Sequence, residues 1–209
     1  DTDRSRGLGD VYKRQAVYHA LRYGFRYGDY LQAGIVGEKD AGEPFFALQD
    51  KKGYDYYSFY CLFKNLGGMK SLALGNYKLS FGQGLVLGTD FGLGKTFSMS
   101  ASEYRTGGIR KHGSTDEYNY FRGAAATVEI LRFLEFSAFY SHRSMDGVVK
   151  DGEIASIYKT GLHRTEKEAD KMNAFTLQLT GGNLTYEKNK LKVGITCLLY
   201  TSPSPRDRS

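Results

Sequence analysis

The sequence lacks the features that mark several protein classes. It has no Trp, 3 Pro and 2 Cys in 209 residues. No apolar run approaches the roughly eighteen residues that indicate a transmembrane helix, so a helical membrane span is excluded. The 17 Tyr and 13 Phe are too many for a disordered chain. The 26 Gly are spread along the chain, which argues against long helices and favours turn-rich β structure.

The two ends differ in patterning from the sequence between them. Residues 1–15 and 197–209 resemble translated sequencing adapter, because codons for 10–15 can be the reverse complement of codons for 197–202. Two natural tails are not expected to be related in this way, so we interpret both as artefacts and exclude them from fold reasoning. Residues 16–196 are then expected to be an internal fragment of a longer protein.

This interpretation changes the charge and the cysteine count. The whole chain carries a formal charge of +6, whereas residues 16–196 hold 23 basic and 19 acidic residues, a net of +4. Only Cys61 remains in that segment. An intrachain disulfide is therefore impossible there, and cysteine does not indicate the compartment.

Alternation of apolar and polar residues recurs along residues 16–196. Leu134, Phe136, Ala138 and Tyr140 alternate with polar or small residues, which predicts a strand. Similar segments lie near 21–27, 31–35, 54–62, 79–87, 175–180 and 191–195. The pairs at 28–29, 181–182 and 188–189 are predicted to be hairpin links between strands.

Other stretches break this pattern. Residues 37–53 are predicted to form a loop, and residues 92–117 a long loop or lid. Thr165 and Glu168 fit a capping box, so a short helix is predicted within 162–172. Residues 197–200 are apolar and in phase with the last strand, so they are expected to extend it. Pro203 and Pro205 are expected to end that extension.

The pattern predicts an all-β fold, an antiparallel meander of about eight or more strands. A soluble β-sandwich and an outer-membrane-type β-barrel, or an open part of one, share this alternation, so the alternation does not choose between them. Three features favour the barrel. Residues 69–88 and 120–141 are long enough for spans of about 9–11 residues. Tyr and Phe cluster at predicted strand ends, and charge lies mainly in the connections.

Four motifs carry a resemblance to a known family. They read EKDAGEP at 38–44, LSFGQGLVLG at 79–88 followed by FGLGK at 91–95, YFRGAAAT at 120–127, and TGLHRT at 160–165. In this order they resemble large envelope proteins of Gram-negative anaerobes that are named for an N-terminal helix-hairpin-helix region. The motifs span nearly all of residues 16–196.

This resemblance implies a β-rich, outer-membrane barrel region downstream of helix-hairpin-helix repeats. The partner it implies for this segment is the lipid bilayer. Duplex DNA is implied as a partner only through repeats that do not occur in this sequence. The resemblance implies no catalytic residues.

No catalytic, cofactor or metal site is predicted. Gly94-Lys95-Thr96 suggests a phosphate-binding loop, but the position that must be Gly is Thr89. The histidines do not show metal-ligand spacing, and an acidic group at 38–43 lacks the spacing of a calcium loop. The histidines are His19, His112, His142 and His163, and the acidic residues are Glu38, Asp40 and Glu43.

Basic residues with nearby aromatics suggest two roles, single-stranded nucleic-acid binding or lumen charge in a barrel. They are Lys70, Lys78, Arg105, Arg110, Lys111, Arg122, Arg132 and Arg143. Acidic residues dilute them, which favours lumen charge; these are Glu103, Asp116, Glu117, Glu129 and Glu135. We therefore predict a non-enzymatic outer-membrane barrel segment for transport, uptake or envelope structure. The alternative is a soluble β-sandwich module that binds glycans or single-stranded nucleic acid.

Overall fold

The computed structural model describes residues 17–39, 54, 56–81, 87–88, 107–116, 118–150, 153–157, 171, 173–200 and 204–205. Over these residues the chain is all-β. The strands are β1 (His19–Tyr27), β2 (Leu31–Lys39), β3 (Tyr56–Leu66), β4 (Met69–Phe81), β5 (Leu87–Gly88), β6 (Gly108–Lys111), β7 (Phe121–Leu131), β8 (Leu134–Met145), β9 (Gly147–Lys150), β10 (Glu153–Ile157), β11 (Phe175–Lys188), β12 (Leu191–Tyr200) and β13 (Ser204–Pro205).

Eight long strands form one antiparallel sheet in the order β1-β2-β3-β4-β7-β8-β11-β12. β5 and β6 pair with β4, β13 pairs with β11, and β9 and β10 form a separate two-stranded sheet. The prediction of an all-β antiparallel meander is confirmed. Within the described residues β1 and β12 pair on one side only, so this part of the sheet is open.

The two ends of the sheet differ in their connections. Short turns at 28–30, 67–68, 132–133 and 189–190 all lie at one end, which we call the turn end. Gly28, Gly67 and Asn189 have φ of 52°, 62° and 57° there, the left-handed conformation that tight hairpins require. The opposite end, the loop end, is where the described strands are joined through the longer connections: β2 to β3 by 40–55, β4 to β7 by 82–120 and β8 to β11 by 146–174.

The predicted hairpin links have different outcomes. Those at 28–29 and 188–189 are confirmed, but 181–182 lies in the middle of β11. A Cβ on Gly181 would lie 2.5 Å from Cζ of Phe139 on the neighbouring strand. This glycine therefore makes room for an aromatic ring and does not form a turn.

The predicted loop at 92–117 is wrong in part, because β6 lies within it and pairs with β4. β6 has only four residues, too few to show an alternating pattern. Of the predicted loop at 37–53, residues 37–39 belong to β2 and the rest lie outside the described residues. The predicted helix at 162–172 also lies outside them, except for a turn residue at 171.

The C-terminal strand extends as expected, since β12 runs to Tyr200. The expectation that Pro203 and Pro205 end the pairing is wrong in part. Pairing resumes at β13, where Ser204 and Pro205 lie opposite Thr176 and Phe175. Pro is tolerated in this position because β13 pairs only with β11 among the described residues, so it is an edge strand.

One face of the sheet, the exposed face, is apolar from edge to edge. We call a row of residues that lie opposite one another on successive strands a rung. One rung crosses all eight long strands and consists of Phe25–Ala33–Cys61–Leu74–Ala124–Tyr140–Thr180–Leu199. The adjacent rung is Tyr27–Leu31–Phe63–Leu72–Ala126–Ala138–Gly182–Cys197. Many of these large side chains are solvent-exposed.

The opposite face, the covered face, mixes small, polar and packed apolar residues. One of its rungs is Lys64–Ser71–Thr127–Ser137–Asn183–Thr196. The Thr127 and Ser137 hydroxyls lie 2.8 Å apart, and Asn183 Nδ2 donates to Thr196 Oγ1 at 2.8 Å. The main core also lies on this face and includes Leu62, Ala73, Tyr77, Leu79, Phe81, Ile109, Ala125 and Phe139.

β4 changes partner halfway along its length. Its pairing with β3 ends where Tyr60 lies opposite Gly75. Gly75 has a φ of 87°, and a Cβ added to it would lie 2.5 Å from the Phe59 carbonyl oxygen. Beyond this point β6 pairs with β4, from Tyr77–Lys111 to Ser80–Gly108. Leu79 and Ile109 of this short ladder enter the core. Lys78 and Arg110 alternate with Leu79 and Ile109, so they lie on the other side of this ladder.

Candidate functional site

Polar and charged side chains gather at the loop end of the sheet, where β3 and β4 separate. β3, the second half of β4, β6 and the residues just after β6 bring them together. They form two adjoining groups, an aromatic cluster around His112 and a cationic cavity beside it.

His112 follows β6 and is 1% exposed. Its ring stacks on Tyr120 with centroids 4.9 Å apart and planes inclined by 18°. Nε2 lies 3.0 Å from the Asp116 carbonyl oxygen and 3.3 Å from the Tyr56 hydroxyl. A carbonyl oxygen only accepts, so Nε2 carries the proton. Nδ1 is then a buried acceptor, and within the described part of the chain it has no hydrogen-bond partner.

This environment keeps His112 neutral at physiological pH. Burial lowers its pKa to about 4, and the positive charges of Lys78 and Arg143 also lower it. The Asp116 carboxylate acts in the opposite direction without compensating for burial. His112 is therefore a neutral, packed side chain at physiological pH.

Asp116 is held by its own loop. Oδ1 accepts from the backbone N–H groups of Tyr118 and Asn119, and Oδ2 accepts from the Asn119 side chain, each at 3.0 Å. Burial by itself raises the pKa of Asp116, but these hydrogen bonds and the charge of Lys78 lower it overall. This carboxylate therefore remains charged and already has three donors.

Two arginines join the aromatic cluster to the strands. The Arg143 guanidinium lies 4.5 Å from the Tyr120 ring centroid and donates to the Tyr120 carbonyl oxygen. Arg122 donates from Nε to Asn76 Oδ1 at 2.9 Å and from Nη2 to the Tyr57 carbonyl oxygen at 2.8 Å. These partners give both arginines a structural role. Arg143 holds β8 to the segment just before β7, and Arg122 holds β7 to the point where β4 leaves β3.

The adjoining cavity has a volume of about 360 Å³ and is strongly basic. Its lining contains three cationic side chains and no acidic one among the described residues. It is formed by Tyr60, Lys78, Arg110, Lys111, His112, Gly113 and Ser114. Lys78 and Arg110 lie directly opposite each other in the β4–β6 ladder. Lys111 Nζ lies 5.0 Å from the Tyr60 ring centroid and 3.4 Å from the hydroxyl oxygen.

The other residues considered in the sequence do not form a site among the described residues. Glu38 accepts from the Tyr18 hydroxyl at 2.7 Å, and Asp40 and Glu43 lie outside the described part. His19 lies 2.9 Å from the Tyr54 hydroxyl and His142 3.5 Å from the Tyr140 hydroxyl, far apart in the register. Gly88 belongs to β5, whereas His163 and residues 89–96 lie outside the described part. Across the described ranges no group of His, Cys, Asp or Glu is suited to hold a metal ion.

The basic residues named from the sequence separate into different environments. Lys78, Arg110 and Lys111 share the cavity, Arg122 and Arg143 belong to the aromatic cluster, and Lys70 pairs with Glu135. Arg132 lies in a turn, and Arg105 is outside the described residues. The sequence did not indicate the cavity, although the run Arg110-Lys111-His112 was a local signal. The missing information was the pairing of β6 with β4.

Comparison with known proteins yields no relative. No protein-family model, no curated protein and no solved structure matches this chain. Among the described residues, no helix is long and apolar enough to cross a membrane.

Proposed function

We propose that this chain is a non-enzymatic segment of an outer-membrane β-barrel that serves transport, uptake or envelope structure. The observation that carries the proposal is the exposed face, whose apolar rungs run from β1 to β11 and which Val193 and Ile195 continue on β12, before the segment interpreted as adapter. Tyr23 at one edge is 68% exposed, Leu74 in the middle 41% and Ile195 at the other edge 70%. Soluble proteins expose apolar side chains singly or in small patches, whereas a membrane barrel turns a continuous apolar band to lipid.

The apolar run of a single strand spans part of a bilayer. On β8 the apolar residues of the exposed face run from Leu134 to Tyr140, which at about 3.3 Å per residue covers roughly 20 Å along the strand. Strands of an outer-membrane barrel are tilted by about 35–45°, so this length corresponds to about 15 Å of height. The lipid-facing band of such a barrel is about 25 Å tall, so β8 alone covers more than half of it.

The difference between the two ends also supports the proposal. Outer-membrane barrels have short turns on the periplasmic side and longer loops outside the cell. The turn end and the loop end show this division, with turns as short as 67–68 and connections as long as 82–120. We therefore assign the turn end to the periplasmic side.

Aromatic residues near the turn end are placed as an interfacial girdle would be. Phe133 and Tyr186 meet edge to face with centroids 5.6 Å apart, and Lys188 Nζ lies 5.8 Å from the Phe133 centroid. Tyr27 and Tyr30 are exposed at the same end. Such side chains suit the boundary between lipid and water because each has an apolar body and a polar tip or neighbour.

The proposal extends to the protein as a whole. The outer edges of β1 and β12 are where further strands of a closed wall would pair. With the resemblance to helix-hairpin-helix envelope proteins, we propose that the segment belongs to such a protein. Any binding of DNA is assigned to its repeats and to no residue of this sheet.

A soluble β-sandwich module has less support. A sandwich covers one face of each sheet with a second sheet. Within the described residues the only second sheet is the two-stranded β9–β10 pair. The exposed aromatics also belong to a face that runs across the whole sheet, whereas a glycan platform is local.

The test is insertion into lipid. The full chain is diluted from urea in the presence or absence of phosphatidylcholine vesicles, and the vesicles are floated on a density gradient. We expect β structure and flotation only with vesicles, and resistance of the floated protein to extraction by high salt. A folded, monodisperse protein in buffer without lipid would overturn the proposal and favour the soluble module.

A further inference from the structure

We infer that the surface of two adjoining turns at the turn end binds the headgroup of an anionic phospholipid. The inference rests on the proposed function and deepens it, because it names the class of lipid that this border of the exposed face contacts. The surface, which we call the turn-end patch, consists of Arg132, Phe133, Tyr186, Lys188 and Lys190.

The two turns of the patch lie side by side because β8 pairs with β11. The Glu187 backbone N–H donates to the Phe133 carbonyl oxygen at 2.8 Å. The Phe133 ring meets Tyr186 edge to face, and Lys188 Nζ lies 5.8 Å from the Phe133 ring centroid. The turn between β7 and β8 therefore contacts the end of β11, just before the turn that leads to β12.

The cations of the patch have no acidic counterpart among the described residues. Arg132, Lys188 and Lys190 are exposed, and none of them forms an ion pair within the described part of the chain. Glu187 precedes Lys188 in β11 and therefore lies on the covered face, where it pairs with Lys192 at 2.7 Å. The patch thus presents a net positive charge.

The other two turns at this end differ from the patch. In the turn between β1 and β2, Arg26 pairs with Asp29. The turn between β3 and β4 consists of two glycines, and Lys70 beside it pairs with Glu135. On the exposed side of the turn end, positive charge without an acidic partner in the described residues is therefore concentrated at the two adjoining turns.

An apolar surface continues from the patch toward the middle of the sheet. Tyr186 lies opposite Val193, and Leu184 lies opposite Phe136, all on the exposed face. Val193, Leu184 and Phe136 are exposed. A phospholipid has the same order of groups, a charged headgroup followed by apolar chains. A soluble phosphorylated molecule lacks these chains and would leave the apolar surface in water, so lipid is the source of phosphate that fits.

The charge of the patch selects the kind of headgroup. The forked guanidinium of Arg132 suits two oxygens of a phosphate, and lysines near a bilayer surface are attracted by anionic lipids. The cation–π contact with Phe133 holds the Lys188 ammonium at the border of the apolar surface. A zwitterionic headgroup brings a cation of its own, which these side chains repel, so the ligand is an anionic phospholipid.

The test is native mass spectrometry of the full chain folded in an uncharged maltoside detergent, with phosphatidylglycerol or phosphatidylcholine added at equal concentration. We expect the first phosphatidylglycerol to bind about tenfold more tightly than the first phosphatidylcholine. Arg132→Gln and Lys188→Gln should each weaken phosphatidylglycerol binding about fivefold and leave phosphatidylcholine binding unchanged. Lys64→Gln is the matched control, since it removes the same charge near the turn end from the covered face, and it should change neither.

The outcomes separate this inference from the membrane proposal. Equal binding of the two lipids by the wild type, or equal weakening by Lys64→Gln, overturns the inference and leaves flotation with phosphatidylcholine vesicles intact. Glycerol phosphate that competes with phosphatidylglycerol at equal concentration also overturns it, because the acyl chains would then contribute nothing. A chain that folds in buffer without lipid overturns the membrane proposal and this inference together.

Discussion

The two faces of the sheet contain the same kinds of apolar side chain in opposite environments. Phe136 and Phe139 are three residues apart on β8, yet Phe136 on the exposed face is 41% exposed and Phe139 on the covered face is 3% exposed. The covered face is packed by the β4–β6 ladder and by hydrogen-bonded rungs, whereas the exposed face has no such cover among the described residues. Alternation therefore indicates which residues share a face, but burial shows which face still needs an apolar partner.

The largest effect should come from truncating the buried ring. Phe139→Ala should destabilise the folded chain by about 3–5 kcal/mol, because it removes packing against Phe81 and leaves a cavity in the core. Phe136→Ala should cost about 1–2 kcal/mol if the exposed face contacts lipid and less than about 0.5 kcal/mol if it contacts water. Urea unfolding in phosphatidylcholine vesicles measures both. Equal costs for the two variants would contradict the division into faces.

The next effect comes from placing a charge on the exposed face. Leu74→Arg lies in the middle of the sheet and should destabilise the vesicle-bound fold by about 2–4 kcal/mol, the cost of Arg near a bilayer midplane. Leu191→Arg is a matched control, since Leu191 lies on the same face, follows a turn and is 59% exposed, and it should cost about 0–1 kcal/mol. The free energies come from the same urea unfolding. If Leu74→Arg were as mild as Leu191→Arg, lipid contact at this face would be wrong.

Much of the sheet could be predicted from the sequence, because residues two apart in a strand lie on the same face. Leu134, Phe136, Ala138 and Tyr140 share the exposed face as their spacing predicts. Gly181 misled the prediction because one residue type serves both turns and close contacts with an aromatic ring. Local sequence does not distinguish these uses, since the ring belongs to another strand.

The cavity could not be predicted because it depends on a change of strand partner. Lys78 and Arg110 are distant in sequence, and they meet only because β4 leaves β3 at Gly75 and pairs with β6. β6 has only four residues, which is too short to show an alternating pattern. The sequence therefore showed no sign that Lys78 and Arg110 lie close together. The buried state of His112 likewise follows from Tyr56 and Tyr120, which other strands and loops supply.

On the covered face, burial of His112 should produce a pH dependence that no exposed residue can match. Its pKa is about 4 when folded and about 6.5 when unfolded, so the unfolded chain takes up the proton first as pH falls. Stability should be full above about pH 6.5 and decline toward pH 4, by up to about 3 kcal/mol from this group. Because carboxylates also titrate, the measurement is the difference in unfolding free energy between the wild type and His112→Gln.

For that comparison His142→Gln is the control, since His142 is exposed on the other face. The wild type and His142→Gln should lose stability in parallel between pH 6.5 and 4, and His112→Gln should lose less. Parallel curves for all three proteins would show that His112 is not buried as a neutral group.

The smallest effect comes from removing one hydroxyl on each face. Tyr77 is fully buried, and its hydroxyl donates to the Tyr140 carbonyl oxygen at 2.7 Å. Tyr77→Phe should cost about 1 kcal/mol, the net value of one intramolecular hydrogen bond. Tyr140→Phe leaves that carbonyl in place and removes only an exposed contact of 3.5 Å to His142, so it should cost less than about 0.5 kcal/mol.

Unfolding in vesicles by urea measures both costs. The double variant should cost the sum of the two, because the two hydroxyls have no shared partner atom. A larger cost for Tyr140→Phe than for Tyr77→Phe would mean that the Tyr140 hydroxyl has a partner at the lipid boundary. The exposed face would then be stabilised by its polar tips as well as by its apolar area.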